Sequence, residues 1–310
     1  MSLKKNLQQT LASLRGRVSQ RLPMKTALSI RIRSAFNIGE YLLAHPREAL
    51  AALERRQRKP GFTRLHIFFR HVHLKHNARS RDPDKLRPDW FSHERCFENL
   101  LSTIERSQWA ERTTLTVVYD GSEEDFASDF ISRHTARRMP PAVAVKFVNG
   151  GSNIKSWLEL LDHVRRDDFL DDEILFFMEN DYLHVEGWLD KVVDLYDSAT
   201  PFDYVSLYDH TDFYDFEGKP AFPLYRGVKS GLFVTPSHHW REAPSACGTF
   251  LVEKRVFLQD IDVWSSRLSD FYVFMYLRSI KRRVLVSPVP SLSTHCMAGL
   301  LAPTVDWASQ

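Results

Sequence analysis

Short apolar runs alternate with amphipathic stretches between residues 64 and 178, and this alternation constrains the fold more than any other feature of the sequence. The apolar runs predict strands at Leu65–Phe69, Leu115–Tyr119, Val143–Val148 and Ile174–Met178. The amphipathic stretches predict helices at His93–Ser107, Glu124–Arg138 and Asn153–Arg165. Strands joined by helices pair in parallel, and a parallel sheet is covered by helices on both faces. The sequence therefore predicts an α/β fold: a mainly parallel, Rossmann-like sheet flanked by helices.

The first 60 residues differ from the rest of the chain in charge. They contain 13 Lys and Arg against three Glu, a balance of +10, so residues 61–310 must sum to −7 to give the overall +3. Prolines separate three predicted helices at Leu3–Leu22, Ala27–Leu43 and His45–Arg58. We predict a basic helical extension, residues 1–60, on an acidic body, residues 61–310. The extension suits a peripheral contact with a membrane surface, or packing on the body or on another copy in a homo-oligomer.

Composition bears on the compartment. No run reaches the roughly 18 apolar residues of a spanning helix, and the N-terminus lacks the apolar segment of a signal peptide. Three widely spaced cysteines, Cys96, Cys247 and Cys296, predict neither a disulfide framework nor a zinc site. We expect a cytoplasmic protein, with any membrane contact peripheral and on the inner face.

The predicted strand at Ile174–Met178 runs directly into Glu179-Asn180-Asp181. Two carboxylates that are two residues apart on an extended chain point to the same side, where they can share one hard cation. Mg²⁺ and Mn²⁺ prefer carboxylate oxygens and complete their coordination with water and substrate phosphates. The alternative is a strand that reaches the surface and turns. Ligands of parallel sheets bind beyond the carboxyl ends of the strands, where Asp120 also falls.

Several of these motifs, in their order along the chain, resemble those of the GT-A glycosyltransferases, particularly the family 2 type. Val117–Ser122 (VVYDGS) is similar to the strand that ends in Asp-Gly-Ser, and Leu175–Asp181 (LFFMEND) is similar to the acid-x-acid strand. Ser269-Asp270, before a predicted helix, is similar to the Glu-Asp opening of a late helix in that family. The resemblance covers roughly residues 62–297. Glu179, Ser269 and the segment Ser152–Lys155 depart from the family's usual Asp, Glu and Arg-rich donor loop.

The resemblance implies a role for each matching residue. Mn²⁺ or Mg²⁺ would be held by Glu179, Asp181 and His295. The nucleotide-sugar, for which a UDP-sugar is favoured, would contact Asp120, Gly121, Ser122 and Asn180. Independently of the resemblance, Lys155 opens a predicted helix after Gly150-Gly151, where it would reach a phosphate; the alternative is a capping turn. Asp270 would accept the proton of the acceptor hydroxyl, which implies inversion. Residues 61–185 would form the nucleotide-binding half and residues 186–310 the acceptor half. The alternatives are an Asp-Gly turn at Asp120, a helix cap at Asp270 and a structural histidine at His295.

Two further segments are polar in ways that suit substrates. His238, His239, Trp240 and Arg241 open the segment 237–250, which we interpret as an acceptor loop with Trp240 stacked on a sugar ring; the alternative is a surface turn. The residues Arg70, His71, His73, Lys75, Arg79, Arg81, Lys85 and Arg87 predict a basic loop after the first strand, facing donor phosphates, an anionic acceptor or only solvent.

The prediction that follows is a metal-dependent glycosyltransferase in glycan or glycolipid biosynthesis, acting on a saccharide or lipid-linked acceptor. One alternative is a nucleotidyltransferase of the same fold, although the basic segment after the first strand contains no Gly to cradle phosphates. The other is a non-catalytic glycan-binding protein, which would have no reason to keep carboxylates that repel one another. Nucleic acid is not an expected partner, because the body is acidic.

Overall fold

The computed structural model describes residues 61–73, 86–136, 140–216, 220–223, 225, 228 and 230–310. The three helices predicted within residues 1–60 lie outside the described residues, as do Lys75, Arg79, Arg81 and Lys85 of the predicted basic loop. The division of the chain at residue 60 therefore stays a prediction.

Eleven strands and seven α-helices make up the described part of the chain. The strands are β1 (Leu65–Val72), β2 (Thr113–Asp120), β3 (Val143–Val148), β4 (Ile174–Glu179), β5 (Tyr182–His184), β6 (Tyr204–Val205), β7 (Leu232–Val234), β8 (His239–Ala243), β9 (Phe250–Glu253), β10 (Leu285–Val289) and β11 (Ser293–His295). The α-helices are α1 (His93–Glu105), α2 (Glu123–Ala127), α3 (Asn153–Arg166), α4 (Trp188–Asp197), α5 (Lys254–Gln259), α6 (Ile261–Trp264) and α7 (Asp270–Tyr276). Short 3₁₀ segments lie at Ala110–Arg112, Phe130–His134, Thr211–Phe213 and Trp307–Ser309.

Nine strands form one sheet in the order β3-β2-β1-β4-β9-β6-β10-β8-β7, and β5 pairs with β11 in a separate ribbon. The strand pairings give seven strands of the large sheet one direction, with β8 and β9 opposite. The predicted α/β class with a mainly parallel sheet flanked by helices is confirmed. The order 3-2-1 reverses at the β1–β4 pair, which is a topological switch point, and α/β sheets bind ligands at such points.

The central strands β1 and β4 are buried on both faces, which explains their continuous apolar sequence. Successive side chains of a strand point to opposite faces. Phe176 therefore packs against Trp188 of α4 on one face, at 5.8 Å between ring centroids. Phe177 packs on the other face against Trp157 of α3, at 5.2 Å. Two apolar cores, one on each face, thus pack β4 between α3 and α4.

Two predicted helices differ from those in the structure. The segment predicted as one helix, Glu124–Arg138, is divided into α2 and the 3₁₀ segment Phe130–His134. Asp129 lies between them in an extended conformation, and its side chain accepts a hydrogen bond from the backbone N–H of Ile131, so it starts a new segment instead of continuing the first. The helix predicted after Ser269-Asp270 is α7, and it ends in a π-helical turn over Leu277–Lys281 that the sequence did not indicate.

His184 of β5 is fully buried beside Trp188, and its two ring nitrogens have no hydrogen-bond partner among the described residues. Its backbone is paired with the side-chain amide of Asn99, at 2.8 and 3.0 Å. Burial lowers the pKa of His184 to about 3. A neutral imidazole is therefore part of the folded core, and charging it on unfolding couples stability to pH.

We expect the free energy of unfolding to fall as the pH falls through the window between 6.5 and 3 on account of His184. In that window the unfolded chain binds one more proton at this position than the folded chain. Urea unfolding at pH 7 and pH 5 measures the effect. Against a His184→Leu variant, the wild type should lose about 2 kcal/mol more over this interval. Equal losses in the two proteins would show that His184 has the same pKa in the folded and the unfolded chain.

Candidate active site

Asp181 lies in the tight turn between β4 and β5, where three residues from two distant segments hold it. Its carboxylate oxygen Oδ2 accepts hydrogen bonds from Arg87 Nη2 at 2.8 Å and from His295 Nε2 at 3.1 Å. Its backbone carbonyl accepts from the N–H of Cys296 at 2.9 Å. Burial alone would raise the pKa of Asp181, but the hydrogen bond from His295 and the charge of Arg87 bring it below its ordinary value. Asp181 is therefore held as a buried carboxylate anion.

His295 reaches Asp181 because β11 pairs with β5, which places His295 opposite Tyr182. The two rings stack, with centroids 5.1 Å apart and planes within 4°. The structure thus brings together two residues that are 114 positions apart in the sequence. Their proximity is the one predicted on the resemblance, with the His295 Nε2 directed at the carboxylate.

Glu179 is the last residue of β4, and its side chain faces the glycine at position 248. A side-chain carbon built at Gly248 would lie 3.5 Å from Glu179 Oε1, an ordinary contact distance, so Gly248 and this carboxylate are neighbours. The backbone N–H of Glu179 donates to Thr249 Oγ1 at 3.1 Å. Burial raises the pKa of Glu179, and the charge of Asp181 adds to the rise. The positive charge of Arg70, which lies opposite Glu179 in the β1–β4 register, lowers the pKa of Glu179 and so opposes this rise.

Asp270 is the first residue of α7 and joins the same group of carboxylates. Its Oδ1 accepts a hydrogen bond from the N–H of Phe271 at 2.9 Å, and the N–H of Gly248 also donates to it. Gly248 therefore lies between Asp270 and Glu179. Burial raises the pKa of Asp270. A partly buried carboxylate with a raised pKa accepts a proton more readily than an ordinary aspartate, which is a property of general bases.

A divalent cation fits this group on one direct observation. Asp181 Oδ1 is buried and has no hydrogen-bond partner among the residues that the structure describes. A buried carboxylate oxygen without a donor is costly unless a cation satisfies it. Glu179, Asp181 and His295 do not bring three ligand atoms within 4.8 Å of one another; within the described ranges Glu94, Glu98 and His134 do so, near the surface. Asp181 Oδ1 is thus the oxygen that would be available to a cation, and Glu179 is the nearby carboxylate that would share it.

Asp120, the predicted nucleotide ligand at the end of β2, is engaged within the protein. Its Oδ1 accepts hydrogen bonds from the N–H groups of Gly150 and Gly151 at 3.1 and 3.2 Å, and its Oδ2 accepts from Ser156 Oγ. Gly150 must be glycine, because a Cβ there would lie 2.2 Å from Ser156 Oγ and 2.5 Å from its backbone nitrogen. Asp120 therefore fixes the turn that starts α3, and any contact with a nucleotide would use its remaining lone pairs.

The residues after Asp120 also have structural partners. The backbone of Gly121 lies close to the ring of Tyr119, because a Cβ at position 121 would be 2.7 Å from that ring. Ser122 caps α2 in a reciprocal capping box with Asp125. Lys155 is exposed in the first turn of α3, where its side chain is available to an anion.

Asn180, the middle residue of the acid-x-acid turn, is fixed by two histidines. Its Nδ2 donates to His71 Nδ1 at 3.0 Å, and its carbonyl accepts from His93 Nδ1 at 3.1 Å. His71 Nε2 then faces Asp129 Oδ2 at 3.2 Å, which sets the ring tautomer. Burial opposes ionisation of Asp129, but the hydrogen bond from His71 helps to bring the pKa of this carboxyl down to about 2. Asn180 is thus held both at its side-chain amide and at its backbone carbonyl.

The predicted acceptor loop is wrong in its most specific feature. Residues 239–243 form strand β8, and Trp240 is 0% exposed, with its indole N–H directed at Thr235 Oγ1 at 3.3 Å. Trp240 therefore cannot stack on a sugar ring. Its burial follows from strand alternation, which directs Trp240 into the core and His239 outward.

The neighbours of Trp240 are engaged as well. His238 is nearly buried, and its Nε2 is 2.8 Å from the carbonyl of Pro290. Arg241 forms an ion pair with the buried Asp209, and its guanidinium lies 3.8 Å from the ring centre of Phe213. Only His239 of the four predicted residues is exposed.

The predicted basic loop is also corrected where it is described. Arg70 and His71 belong to β1, which extends three residues further than predicted, and His73 Nδ1 lies 2.8 Å from Tyr119 Oη in the core. Arg87 belongs to the candidate site through Asp181. The sequence showed Arg87 as one cation among eight, and nothing local distinguished it from the others.

Comparisons with known proteins give a likeness of architecture. No protein-family model matches the chain, and no curated protein matches it. A solved structure of the galactosyltransferase LgtC in complex with donor and acceptor sugar analogs is 11% identical with a TM-score of 0.38, over 69% of this chain and 70% of that one. GalNAc-T7 with UDP, GalNAc and Mn²⁺ is 10% identical with a TM-score of 0.44, over 76% of this chain and 44% of that one.

A nucleotidyltransferase is also among the similar structures. The inositol-1-phosphate CTP transferase from T. maritima is 12% identical with a TM-score of 0.35, over 74% of this chain and 86% of that one. At these identities and TM-scores the likeness says nothing about substrate or reaction. Within the described ranges, no helix combines the length and apolar character needed to cross a membrane.

Proposed function

We propose that the chain is a divalent-cation-dependent glycosyltransferase that moves a sugar, of the hexosyl type, from a nucleotide-sugar to a hydroxyl acceptor with inversion. The observation that carries the proposal is the buried Oδ1 of Asp181, which has no hydrogen-bond partner in the described part of the chain and is grouped with Glu179 and Asp270 near the β1–β4 switch point. The three carboxylates repel one another. A bound cation, and a proton taken from the substrate, would each relieve this repulsion.

The donor side of the proposed site is the edge formed by β1, β2 and β4. Asp181 and Glu179 would hold Mn²⁺ or Mg²⁺, with His295 beside them. The cation, when bound, neutralises the negative charge that develops on a diphosphate leaving group. Lys155 is exposed at the start of α3, where backbone N–H groups and the side chain both favour a phosphate. A UDP-sugar is the favoured donor on the resemblance, with Asp120 and Gly121 towards the base.

Asp270 would act on the acceptor side as the general base. Its raised pKa follows from burial, and a base with a pKa nearer to neutrality accepts a hydroxyl proton more readily than an ordinary aspartate. It belongs to a different element from Asp181 and Glu179, so an acceptor can approach it from the α7 side while the donor occupies the sheet edge. A single displacement with a separate base gives inversion at the anomeric carbon.

We expect UDP with Mn²⁺ to raise the melting temperature of the wild-type protein and to have no such effect on Asp181→Ala. A ligand that binds only the folded state stabilises it by mass action, by about 2.7 kcal/mol at 100 times its dissociation constant. A thermal-shift panel of UDP, GDP, CDP and dTDP, each with and without Mn²⁺, measures this effect and identifies the base.

The matched control is Glu186→Ala, which removes an exposed carboxylate that forms an ion pair with Arg106 away from the group. This variant should keep the full nucleotide shift. A wild-type protein that no nucleotide stabilises would contradict the proposed function and favour a glycan-binding role. A shift that is equally large in Asp181→Ala would place the cation elsewhere.

The proposed setting is glycan or glycolipid biosynthesis at the cytoplasmic side of a membrane. The +10 balance of residues 1–60 supports attraction to anionic lipid, which would bring the enzyme to a lipid-linked acceptor. The same residues could instead join two copies of the chain. Sedimentation of the full chain with anionic and neutral vesicles distinguishes the two roles, since only lipid attraction depends on vesicle charge.

A further inference from the structure

Arg87 contacts Asp181 directly in the structure, and its guanidinium makes three contacts in all. Nη2 donates to Asp181 Oδ2 at 2.8 Å, and Nη1 donates to the carbonyl of Cys296 at 2.7 Å. The guanidinium also lies over the ring of Phe91, at 4.5 Å from its centre. The backbone beside it is tied to the same region, because the N–H of Ala298 donates to the carbonyl of Leu86 at 2.8 Å.

The two oxygens of the Asp181 carboxylate differ in their hydrogen bonds. Oδ2 accepts from both Arg87 and His295, whereas Oδ1 is buried and has no partner among the described residues. A carboxylate that is held at one oxygen by two donors cannot rotate freely about its Cβ–Cγ bond. Arginine suits this task, since its planar donors span two acceptors and it stays charged at every working pH.

We propose that Arg87 is a positioning residue of the candidate cation site: it holds Asp181 Oδ2 so that Oδ1 is the oxygen offered to a divalent cation. The inference rests on the proposed function, because it assumes that Asp181 binds the cation. Groups that orient a metal ligand by hydrogen bonding commonly change metal affinity about 10–100-fold when removed. His295 shares the task through Nε2, so its contact with Asp181 orients the carboxylate whether or not it also binds the cation.

The opposite role for Arg87 is also physically reasonable and gives the opposite result. A guanidinium that merely neutralises Asp181 competes with a divalent cation by charge repulsion and by occupying Oδ2. Removal of Arg87 would then tighten cation binding. The direction of the change in affinity therefore decides between positioning and competition.

The test measures Mn²⁺ binding to the full chain with and without UDP, from the loss of the electron paramagnetic resonance signal of free Mn²⁺. Arg87→Ala should weaken Mn²⁺ binding about 10–100-fold. Arg87→Lys keeps the charge but offers a point donor, and it should recover only part of the affinity. Arg95→Ala is the matched control, because Arg95 lies over Trp90 and donates to the carbonyl of Ala308, away from Asp181. It should bind Mn²⁺ as the wild type does.

The outcomes separate the inference from the proposed function. A wild type that binds no Mn²⁺ under any condition overturns both. A wild type that binds Mn²⁺, with Arg87→Ala equal or tighter, overturns the inference alone. If Arg87→Ala fails to fold, Arg87→Lys provides the test. Wild-type affinity for Mn²⁺ in Arg87→Lys would show that a positive charge is sufficient and that the two hydrogen bonds of the guanidinium are not needed, which would overturn the inference.

Discussion

Replacement of Asp270 with Asn is expected to slow sugar transfer by about 10²–10⁴-fold while leaving Mn²⁺-dependent nucleotide binding unchanged. The amide keeps the size of the side chain but cannot accept a proton in the transition state. The raised pKa of the native carboxylate, caused by burial, and its position at the start of α7 support this assignment. Single-turnover measurement of transfer, alongside the nucleotide thermal shift, separates the chemical step from binding.

Ser269→Ala is the control for this experiment. Ser269 occupies the N-cap position of α7 but makes no side-chain capping hydrogen bond, so its loss should change neither transfer nor stability by much. An Asp270→Asn variant with a near-normal transfer rate would leave Asp270 as a helix-start residue only. The anomeric configuration of the product, read by NMR, tests inversion separately, since a retained configuration would exclude the single displacement.

Gly150→Ala is expected to destabilise the fold by about 3 kcal/mol or more, the largest stability effect among these predictions. A methyl group at this position would lie 2.5 Å from the backbone nitrogen of Ser156, and that backbone cannot move without displacing the start of α3. The shift would also disturb the hydrogen bonds that Asp120 accepts from Gly150 and Gly151. Urea unfolding of the variant measures the loss.

The adjacent glycine gives a control without the close contact to Ser156. Gly151 has a φ of +59°, and a Cβ added there would meet nothing within 4 Å. Gly151→Ala should therefore cost only the strain of a left-handed residue, about 1–2 kcal/mol. Equal losses of stability in the two variants would mean that the turn at Gly150 shifts to accommodate a methyl group. The hydrogen bonds of Asp120 would then not depend on the exact geometry of that turn.

Strands β1 to β4 and the acid-x-acid turn were predictable from local sequence. β3 has the predicted bounds, and β4 differs by one residue, because buried parallel strands need uninterrupted apolar runs that stand out in any sequence. Asp120, Glu179 and Asp181 follow such runs, so their location at the edge of the sheet follows from the strand ends. The helix after Asp120 was less predictable, because the side chain of Asp129 accepts a hydrogen bond from the N–H of Ile131 and so starts a second segment.

Trp240 shows where local sequence fails. Polar neighbours made its segment resemble a binding loop, but pairing of β8 with β10 places the indole in the core and leaves His239 outside. Burial of a strand residue depends on which sheet the strand joins, and that is a property of the whole chain. The engagement of Asp120 by Gly150 and Gly151 has the same origin, because it joins the ends of two neighbouring strands.

Periodicity and charge are local properties, so the residues themselves specify the alternating architecture, the sheet edge at which the carboxylates emerge, and the charge contrast between residues 1–60 and the body. The unpartnered oxygen of Asp181 is a feature of another kind, since the two donors to its other oxygen lie 94 and 114 positions away. The same holds for Asp270, which joins Glu179 through Gly248. Folding sets these features through hydrogen bonds and burial between distant segments, and no local pattern in the sequence encodes such contacts.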